Sequence, residues 1–259
     1  MDRGSEKERS KLRTGVEPID PERYAEICDL LRTASAESCD LVPKGSNYIF
    51  LVKLSLGNDT DCLGIYKPRK GEAPLWDFPY GTLYLREFAA YLLSEALRWH
   101  FVPPTVLWEG PHGIGSLQLF ISYEPGITYF ELRKTHTREV KRIAVFDTMA
   151  NNTDRKGGDC IKDMHGKVWA IDHGLTFHQD YKLRTVIWDF AGGPISKDVL
   201  EDVAREHQRF DQDGGLATML KGVLEEEEVQ ALADRMEALL KKPFLPQPRS
   251  RWDVPWPMV

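Results

Sequence analysis

Two short acidic motifs, one on each side of a predicted hairpin, constrain this chain more than any other feature. The first is Asn151-Asn152-Thr153-Asp154-Arg155 and the second is Ile171-Asp172-His173-Gly174-Leu175. Between them, two apolar-rich runs flank a turn-like His-Gly pair, a pattern that predicts a β-hairpin. Such a hairpin would bring Asp154, Asp159 and Asp172 toward one point. Phosphoryl-transfer enzymes use this arrangement to hold a hydroxyl nucleophile and magnesium.

Composition restricts the classes of protein that fit. The 259 residues can form one large domain or two lobes, and the net charge of -6 argues against a generally basic nucleic-acid-binding surface. The four cysteines show no Cys-x-x-Cys spacing, which argues against a zinc site or a disulfide framework. Residues 1–14 are highly charged, and no run approaches the ~18 apolar residues that span a bilayer. We expect a soluble cytoplasmic protein with a disordered tail over residues 1–14.

Strand patterns in the first half place a lysine where it can reach a nucleotide. Residues 47–54 and 62–67 resemble two strands joined by the turn-forming cluster 57–59. Lys67 shares its alternation phase with the apolar residues of its strand, so its side chain should point to their face. The alternative is a lysine that reaches water at the strand end. The small-residue turn just before these strands could present backbone N–H groups to phosphate. That turn contains Gly45, Ser46 and Asn47, and follows Lys44.

A helix from residue 82 to 98 supplies a carboxylate for this lysine. Glu87 lies early on the helix, where a kinase needs a partner for the strand lysine. By the 3.6-residue period, Glu87 lies opposite the main apolar stripe, so it faces inward only if the helix is sandwiched between the sheet and another element. Glu95 lies closer to the stripe and is the alternative partner.

The predicted strand 116–121 leads into a Pro-Gly connector, which we interpret as the boundary between an N-lobe, residues 15–122, and a C-lobe, residues 123–259. Backbone groups of Phe120 and Ser122 could bind an adenine ring there. Helical spacing returns at residues 139–149, 197–210 and 225–241. Residues 176–188 read as irregular. The proline-rich end, residues 243–259, is expected to be extended and to pack its two indoles against the body.

These motifs together resemble the atypical kinases. The residues that carry the resemblance are Ile65-Tyr66-Lys67-Pro68, Arg86-Glu87, Asn152-Thr153-Asp154-Arg155 and Ile171-Asp172-His173-Gly174. The group contains the phosphoinositide lipid kinases, the HipA-type bacterial kinases and the secreted Golgi kinases. The chain is more closely similar to a bacterial phosphoinositide-kinase-like family that is common in actinobacteria, over residues 41 to about 188. The resemblance implies an α+β, two-lobed protein-kinase-like fold with a small β-rich N-lobe and a mainly helical C-lobe.

The resemblance also implies roles at matching positions. Asp154 would orient or deprotonate the acceptor hydroxyl, Asn152 would brace the catalytic loop, and Arg155 completes its Asp-Arg pair. Asp172 would bind Mg²⁺ or Mn²⁺ between the phosphates of ATP. Lys67 would contact the α- and β-phosphates, with Glu87 as its partner.

Three departures from the atypical kinases limit what can be transferred. Asp159 stands where many kinases place an asparagine metal ligand, and its oxygen still suits a hard cation. Arg155-Lys156 replaces the Arg-His of lipid and Golgi kinases, so their substrate chemistry is in doubt. The nucleotide loop lacks the protein-kinase glycine pattern. The acceptor hydroxyl compound is therefore open, although Lys182 and Arg184 would favour an anionic one.

Two other function classes fit the same residues. A catalytically inactive ATP-binding pseudokinase or scaffold would keep the fold and bind nucleotide without turnover. A metal-dependent phosphoesterase would use the Asp and His residues between 154 and 173 to hold two metals. Its only Asp-x-His pair, Asp163 and His165, falls at the predicted hairpin turn.

Overall fold

The strands of the first half form one antiparallel sheet. The computed structural model describes residues 18–43, 45–56 and 61–259. The strands are β1 Ser35–Val42, β2 Ile49–Ser55, β3 Asp61–Pro68, β4 Thr105–Gly110 and β5 Gly113–Leu119. Their order is β1-β2-β3-β5-β4, and each neighbouring pair is antiparallel. Because β3 is paired on both edges, its end is fixed in register, with Lys67 opposite Ser116 of β5.

Helices make up most of the remaining regular structure, and the predicted α+β class is confirmed. They are α1 Tyr24–Thr33, α2 Leu83–Ala96, α3 Tyr129–Thr135, α4 Thr137–Ala150, α5 Lys197–Arg209, α6 Leu216–Leu220 and α7 Glu226–Lys241. Short 3-10 turns lie at Pro21–Arg23, Arg69–Gly71, Gly157–Asp159 and Arg251–Asp253. The predicted hairpin is present as the antiparallel pair β6 Cys160–Lys162 and β7 Val168–Ala170.

Helix α2 lies between two layers, and this explains how it buries polar residues on its surface. It packs against β4 and β5 and also against α6. The helix therefore buries Arg86 and Glu87 in addition to its apolar stripe. Arg86 donates to Glu228 of α7, at 2.6 Å, and to the carbonyl of Thr176, also at 2.6 Å. From the sequence, Glu87 could face inward only if this helix were sandwiched between the sheet and another element, and α6 is that element.

Some elements differ from the sequence expectations. Strand β1 was not predicted, because it lacks an alternating apolar pattern. None of its residues is fully buried, and half-buried positions are mixed with exposed ones, as is usual at the edge of a sheet. Helix α3 also lacked a clear apolar pattern, although Thr128 and Glu131 form a capping box at its start. The expectation that the terminal indoles pack against the body is wrong, since Trp252 and Trp256 are 69% and 83% exposed.

Several sequence predictions lie outside the described residues. They are the disordered tail at 1–14, the turn at 57–59 and the placement of Lys44. Within the ranges that the structure describes, no helix is both long and apolar enough to cross a membrane.

Candidate active site

Lys67 is held between two carboxylates at the end of β3. Its Nζ donates to Oε1 of Glu87 and to Oδ1 of Asp172, the latter at 2.8 Å. Burial lowers the pKa of Lys67, but Asp172 and Glu87 outweigh it and raise the pKa above its ordinary value. The ammonium therefore stays charged. Lys67 thus brings together β3, α2 and the Asp-x-Gly motif, which are far apart in sequence.

Glu87, and not Glu95, is the partner of Lys67. The side chain of Glu87 is 2% exposed, and its second oxygen, Oε2, accepts a hydrogen bond from the backbone N–H of His173 at 3.0 Å. Glu95 instead faces His100, whose Nδ1 lies 2.9 Å from Oε1 of Glu95. Glu87 thus connects helix α2 both to Lys67 of the sheet and to the Asp-x-Gly segment.

Asp172 adopts a backbone conformation that is uncommon for residues other than glycine. Its φ is +59°, in the left-handed region, and its side chain is 57% exposed. Lys67 lowers the pKa of Asp172 below its ordinary value. A strained backbone that aims an ionised carboxylate into a cleft is typical of a functional position.

The catalytic-type loop begins where α4 ends. Asn151 takes the left-handed conformation after Ala150, with φ 52°, which asparagine tolerates better than most residues. The Asn152 side chain accepts from the backbone N–H of Asp154, at 3.0 Å, and donates to Asp147, at 3.0 Å. Asp154 itself is partly exposed, and Nζ of Lys156 lies 2.8 Å from its Oδ2. Asn152 is therefore placed to fix the loop, while Asp154 points to the cleft.

Arg155 lies under the loop and does not reach the cleft. Its side chain is fully buried and makes two hydrogen bonds of 2.9 Å to the carboxylate of Asp147. It also donates to the carbonyl of Ile171, at 2.6 Å, and to Nε2 of His173, at 2.8 Å. Burial and Arg155 lower the pKa of His173 well below its ordinary value, so this imidazole is neutral and can accept. Arg155 is part of the first acidic motif, and its buried side chain therefore ties that motif to the second one through Ile171 and His173.

Two residues of this framework were missed from the sequence. Asp147 is a fully buried acid on α4, in helical phase with the buried Val140 and Ile143. A lone carboxylate on an apolar stripe was the signal that could have found it. Asn151 was seen only as part of a motif. Its Nδ2 donates to the carbonyls of His178 and Asp180, so it shapes the irregular segment that follows Asp172.

Asp159 lies beside Asp172 at the base of the hairpin. Burial raises the pKa of Asp159 to about 7, and the nearby charge of Asp172 adds to this effect. Oδ2 of Asp159 accepts from the backbone N–H of Lys156 at 2.8 Å. In the described part of the chain, no group of three or more His, Cys, Asp or Glu side chains could hold a metal by itself. Magnesium commonly uses only one or two protein carboxylates together with substrate phosphates.

The geometry gives no support to the phosphoesterase hypothesis. Asp163 is buried in the hairpin turn, where its carboxylate accepts from the amides of His165 and Lys167 and from the indole N–H of Trp169. His173 faces Arg155, as described above. These side chains are committed to the framework, and no two-metal cluster forms among the described residues.

Residues predicted to bind nucleotide separate into two groups. Gly45, Ser46 and Asn47 line the same cleft as Lys67 and Asp154, and Gly45 has a φ of +81°, which only glycine adopts freely. Phe120 and Ser122 are not among the residues that line this cleft. The amide of Phe120 donates to the carbonyl of Leu63, at 3.0 Å, so it is already paired.

Known proteins are similar to this chain in sequence. The family model described as phosphatidylinositol 3- and 4-kinase matches residues 81–197, the span from α2 through the Asp-x-Gly motif. Protein Rv2133c of Mycobacterium tuberculosis is 37% identical over 252 residues, covering 83% of this chain and 89% of that protein. Phosphatidylinositol 4-kinase gamma 4 of Oryza sativa subsp. japonica is 30% identical over 123 residues, which cover 40% of this chain but only 22% of that protein.

A solved structure supports the fold over a longer span. The Golgi casein kinase with Mn/ADP bound superposes with a TM-score of 0.57 at 12% identity, covering 86% of this chain and 76% of that chain. At this identity the likeness concerns the fold alone. The atypical-kinase resemblance is confirmed by the match of residues 81–197 to the phosphatidylinositol 3- and 4-kinase model, and the chain belongs to the family of Rv2133c.

Proposed function

We propose that this protein is an ATP-dependent phosphotransferase that moves the γ-phosphoryl group of ATP to a hydroxyl acceptor. The observation that carries the proposal is the ammonium of Lys67, which lies between Glu87 and Asp172 in the cleft that Asp154 also lines. A charged lysine held in this way can contact phosphates, and Asp154 is separate from it. Phosphoryl transfer needs these two functions, charge compensation at the phosphates and positioning of the nucleophile.

The catalytic-type loop and the turn before β2 have separate roles in this proposal. Asp154 orients the acceptor hydroxyl and takes its proton as the hydroxyl oxygen bonds to the γ-phosphorus, while the bond from that phosphorus to the bridging oxygen breaks and ADP leaves. Asn152 fixes the loop that carries Asp154, and Arg155 holds that loop from below. The turn at 45–47 offers backbone N–H groups to the phosphates. The connector at 120–122 has no part in the proposal, because Phe120 and Ser122 do not line the cleft.

The carboxylates of Asp159 and Asp172 fit a divalent cation. Their mutual repulsion contributes to the raised pKa of Asp159, and a cation between them would relieve it. When bound there with ATP, Mg²⁺ or Mn²⁺ would neutralise charge on the phosphates. Both side chains supply the oxygen ligands that such hard cations prefer.

The first test is a thermal melt with ATP and magnesium. Ligand at a hundredfold excess over its dissociation constant stabilises the native state by about 2.7 kcal/mol, which for a chain of this size raises Tm by roughly 5–10 °C. We expect this rise only with nucleotide and metal together, and a smaller rise for Lys67→Ala. No rise at millimolar ATP and metal would overturn the proposal, whereas binding without turnover would identify an inactive scaffold.

A matched pair of substitutions tests the assignment of Glu87. Glu87→Gln removes the charge that holds Lys67 and should reduce the rise in Tm that Mg·ATP produces. Glu95→Gln, on the same helix but facing His100, should leave that rise unchanged. Equal effects of the two substitutions on the Mg·ATP-dependent rise would show that Glu87 does not serve the nucleotide site.

A further inference from the structure

A second cavity shares Asp154 with the nucleotide cleft. It has a volume of about 510 Å³, and its walls come from residues 75–78, residues 181–184 and the C-terminal residues 249, 252 and 253. Lys67 lines only the first cleft, whereas Asp154 and Leu175 line both. A molecule in the second cavity could therefore present a hydroxyl group to Asp154 without entering the nucleotide cleft. The volume lies in the range of small-molecule sites, roughly 300–1,000 Å³.

The backbone beside this cavity is already paired on both sides. Arg155 exchanges hydrogen bonds with its neighbours in segment 184–186: its N–H donates to the carbonyl of Arg184, and its carbonyl accepts from Val186, both at 3.1 Å. On the other side, the N–H of Thr185 donates to the carbonyl of Asp253 at 3.0 Å. A polypeptide often docks by adding a strand to a free edge. The C-terminal segment occupies that edge here, which disfavours a peptide acceptor.

The C-terminal segment is also anchored at the catalytic-type loop. The N–H of Gly157 donates to the carbonyl of Met258 at 2.7 Å, and the indole of Trp188 donates to the carbonyl of Asp253 at 3.0 Å. A Cβ at Gly157 would lie 2.7 Å from the Phe130 ring and 3.3 Å from the Met258 carbonyl oxygen, so the close packing here favours glycine. This wall of the cavity is thus fixed to the same loop that carries Asp154.

The cavity is lined by three acidic and three basic side chains, and these are only partly paired with one another. Lys182 is paired with Asp77 at 2.8 Å, and the Asp253 carboxylate accepts from the backbone N–H groups of Arg249 and Ser250. Arg184 donates through Nε to the carbonyl of Trp252, at 2.9 Å, and the guanidinium of Arg249 lies 3.8 Å from the ring centre of Tyr181. Within the described residues, neither arginine forms an ion pair. Two guanidinium groups are therefore available to an anion.

Resting on the proposed phosphotransferase function, we propose that this cavity binds a small hydroxyl-bearing acceptor that carries an anionic group such as a phosphate. Arg184 and Arg249 bind the anionic group, and Asp154 meets the hydroxyl. Arginine suits this task because its planar fork matches the oxygens of phosphate and carboxylate. The sequence pointed to Lys182 and Arg184, but the pairing of Lys182 with Asp77 transfers that role to Arg249. The C-terminal segment is then part of the acceptor site.

The test uses matched acceptors and γ-labelled ATP with magnesium. The pairs are glycerol with glycerol 3-phosphate and inositol with inositol 1-phosphate. Vesicles of phosphatidylcholine with and without phosphatidylinositol distinguish a lipid headgroup from a free phosphorylated polyol, and dephosphorylated casein represents a protein acceptor. We expect label on an anionic member and not on its neutral partner. Label on an anionic headgroup in vesicles supports the same recognition chemistry and identifies a lipid as its source.

Variants connect the label to the two arginines. Arg184→Gln and Arg249→Gln should each lower kcat/KM for the acceptor roughly tenfold to a hundredfold, the usual effect of losing a charge-assisted hydrogen bond. The rise in Tm with Mg·ATP should remain. Arg251→Gln is the control, because Arg251 lies on the same segment but does not line the cavity.

Three results would overturn the acceptor proposal while leaving the nucleotide site in place. They are equal labelling of neutral and anionic members, label on casein alone, and no label on any acceptor while Mg·ATP still raises Tm. Unchanged acceptor kinetics in both arginine variants would also overturn it. Loss of the Mg·ATP effect in the unsubstituted protein would instead refute the phosphotransferase proposal.

Discussion

Replacing Asp154 by Asn is expected to leave Mg·ATP binding intact and to lower phosphoryl transfer by about two to four orders of magnitude, the usual contribution of a positioned acid or base. The substitution keeps the shape of the side chain but removes its capacity to accept a proton. Asp154 is outside the group of side chains that contacts Lys67, so the nucleotide should still stabilise the fold. ATP titration followed by melting, and ADP release with or without acceptor, measure the two effects separately.

The other two carboxylates should give different results in the same assays. Asp172→Asn removes a charge from the metal site and from Lys67, so nucleotide binding and turnover should weaken together. Asp159→Asn should have the mildest effect, because the amide oxygen can still coordinate a cation. Normal turnover by Asp154→Asn together with an inactive Asp159→Asn would show that the roles of base and metal ligand are assigned wrongly.

Removing Arg155 is expected to destabilise the fold by about 3–5 kcal/mol, since it leaves the carboxylate of Asp147 buried and without a partner. Both side chains are fully buried, and their two hydrogen bonds of 2.9 Å close a bidentate pair. We expect Arg155→Leu to show a lower midpoint in urea unfolding and a lower Tm. Asp147→Leu should also lower the urea midpoint and the Tm, because it leaves the guanidinium of Arg155 buried without a partner.

A double variant separates the pair from its isolated charges. Asp147→Leu combined with Arg155→Met removes both charges, so it should be more stable than either single variant. Substitution of Lys197, whose pair with Glu201 is exposed on α5, should leave the unfolding midpoint unchanged. If Arg155→Leu unfolds at the same urea concentration as the parent protein, Arg155 is not the structural support that its contacts indicate.

The sequence predicted the chemistry-bearing parts better than their surroundings. The hairpin, the acidic motifs and Lys67 were found because strand alternation and turn residues act over a few positions. The partner of Lys67 stayed open between Glu87 and Glu95. Helical phase gives the direction of a side chain but not what covers it, and only the packing of α2 between the sheet and α6 decides for Glu87.

Longer-range features could not be predicted from local pattern. The role of Arg155 depends on Asp147. The two residues are near each other in sequence, but they become partners only when α4 and the loop are packed together. The C-terminal segment was expected to pack through its indoles. Instead it is held by backbone carbonyls of Trp252, Asp253 and Met258, and backbone groups carry no sequence signal.

Arg86 and Glu87 are chain neighbours that hold α2 from two directions. Glu87 contacts Lys67 in the cleft, while Arg86 donates to Glu228 on α7. Moving the helix away from the cleft would separate this buried ion pair, and a charge left buried without its partner is strongly destabilising. We therefore expect α2 to keep this one position, so that the phosphotransferase activity proposed for the protein would follow the supply of its substrates rather than a movement of this helix.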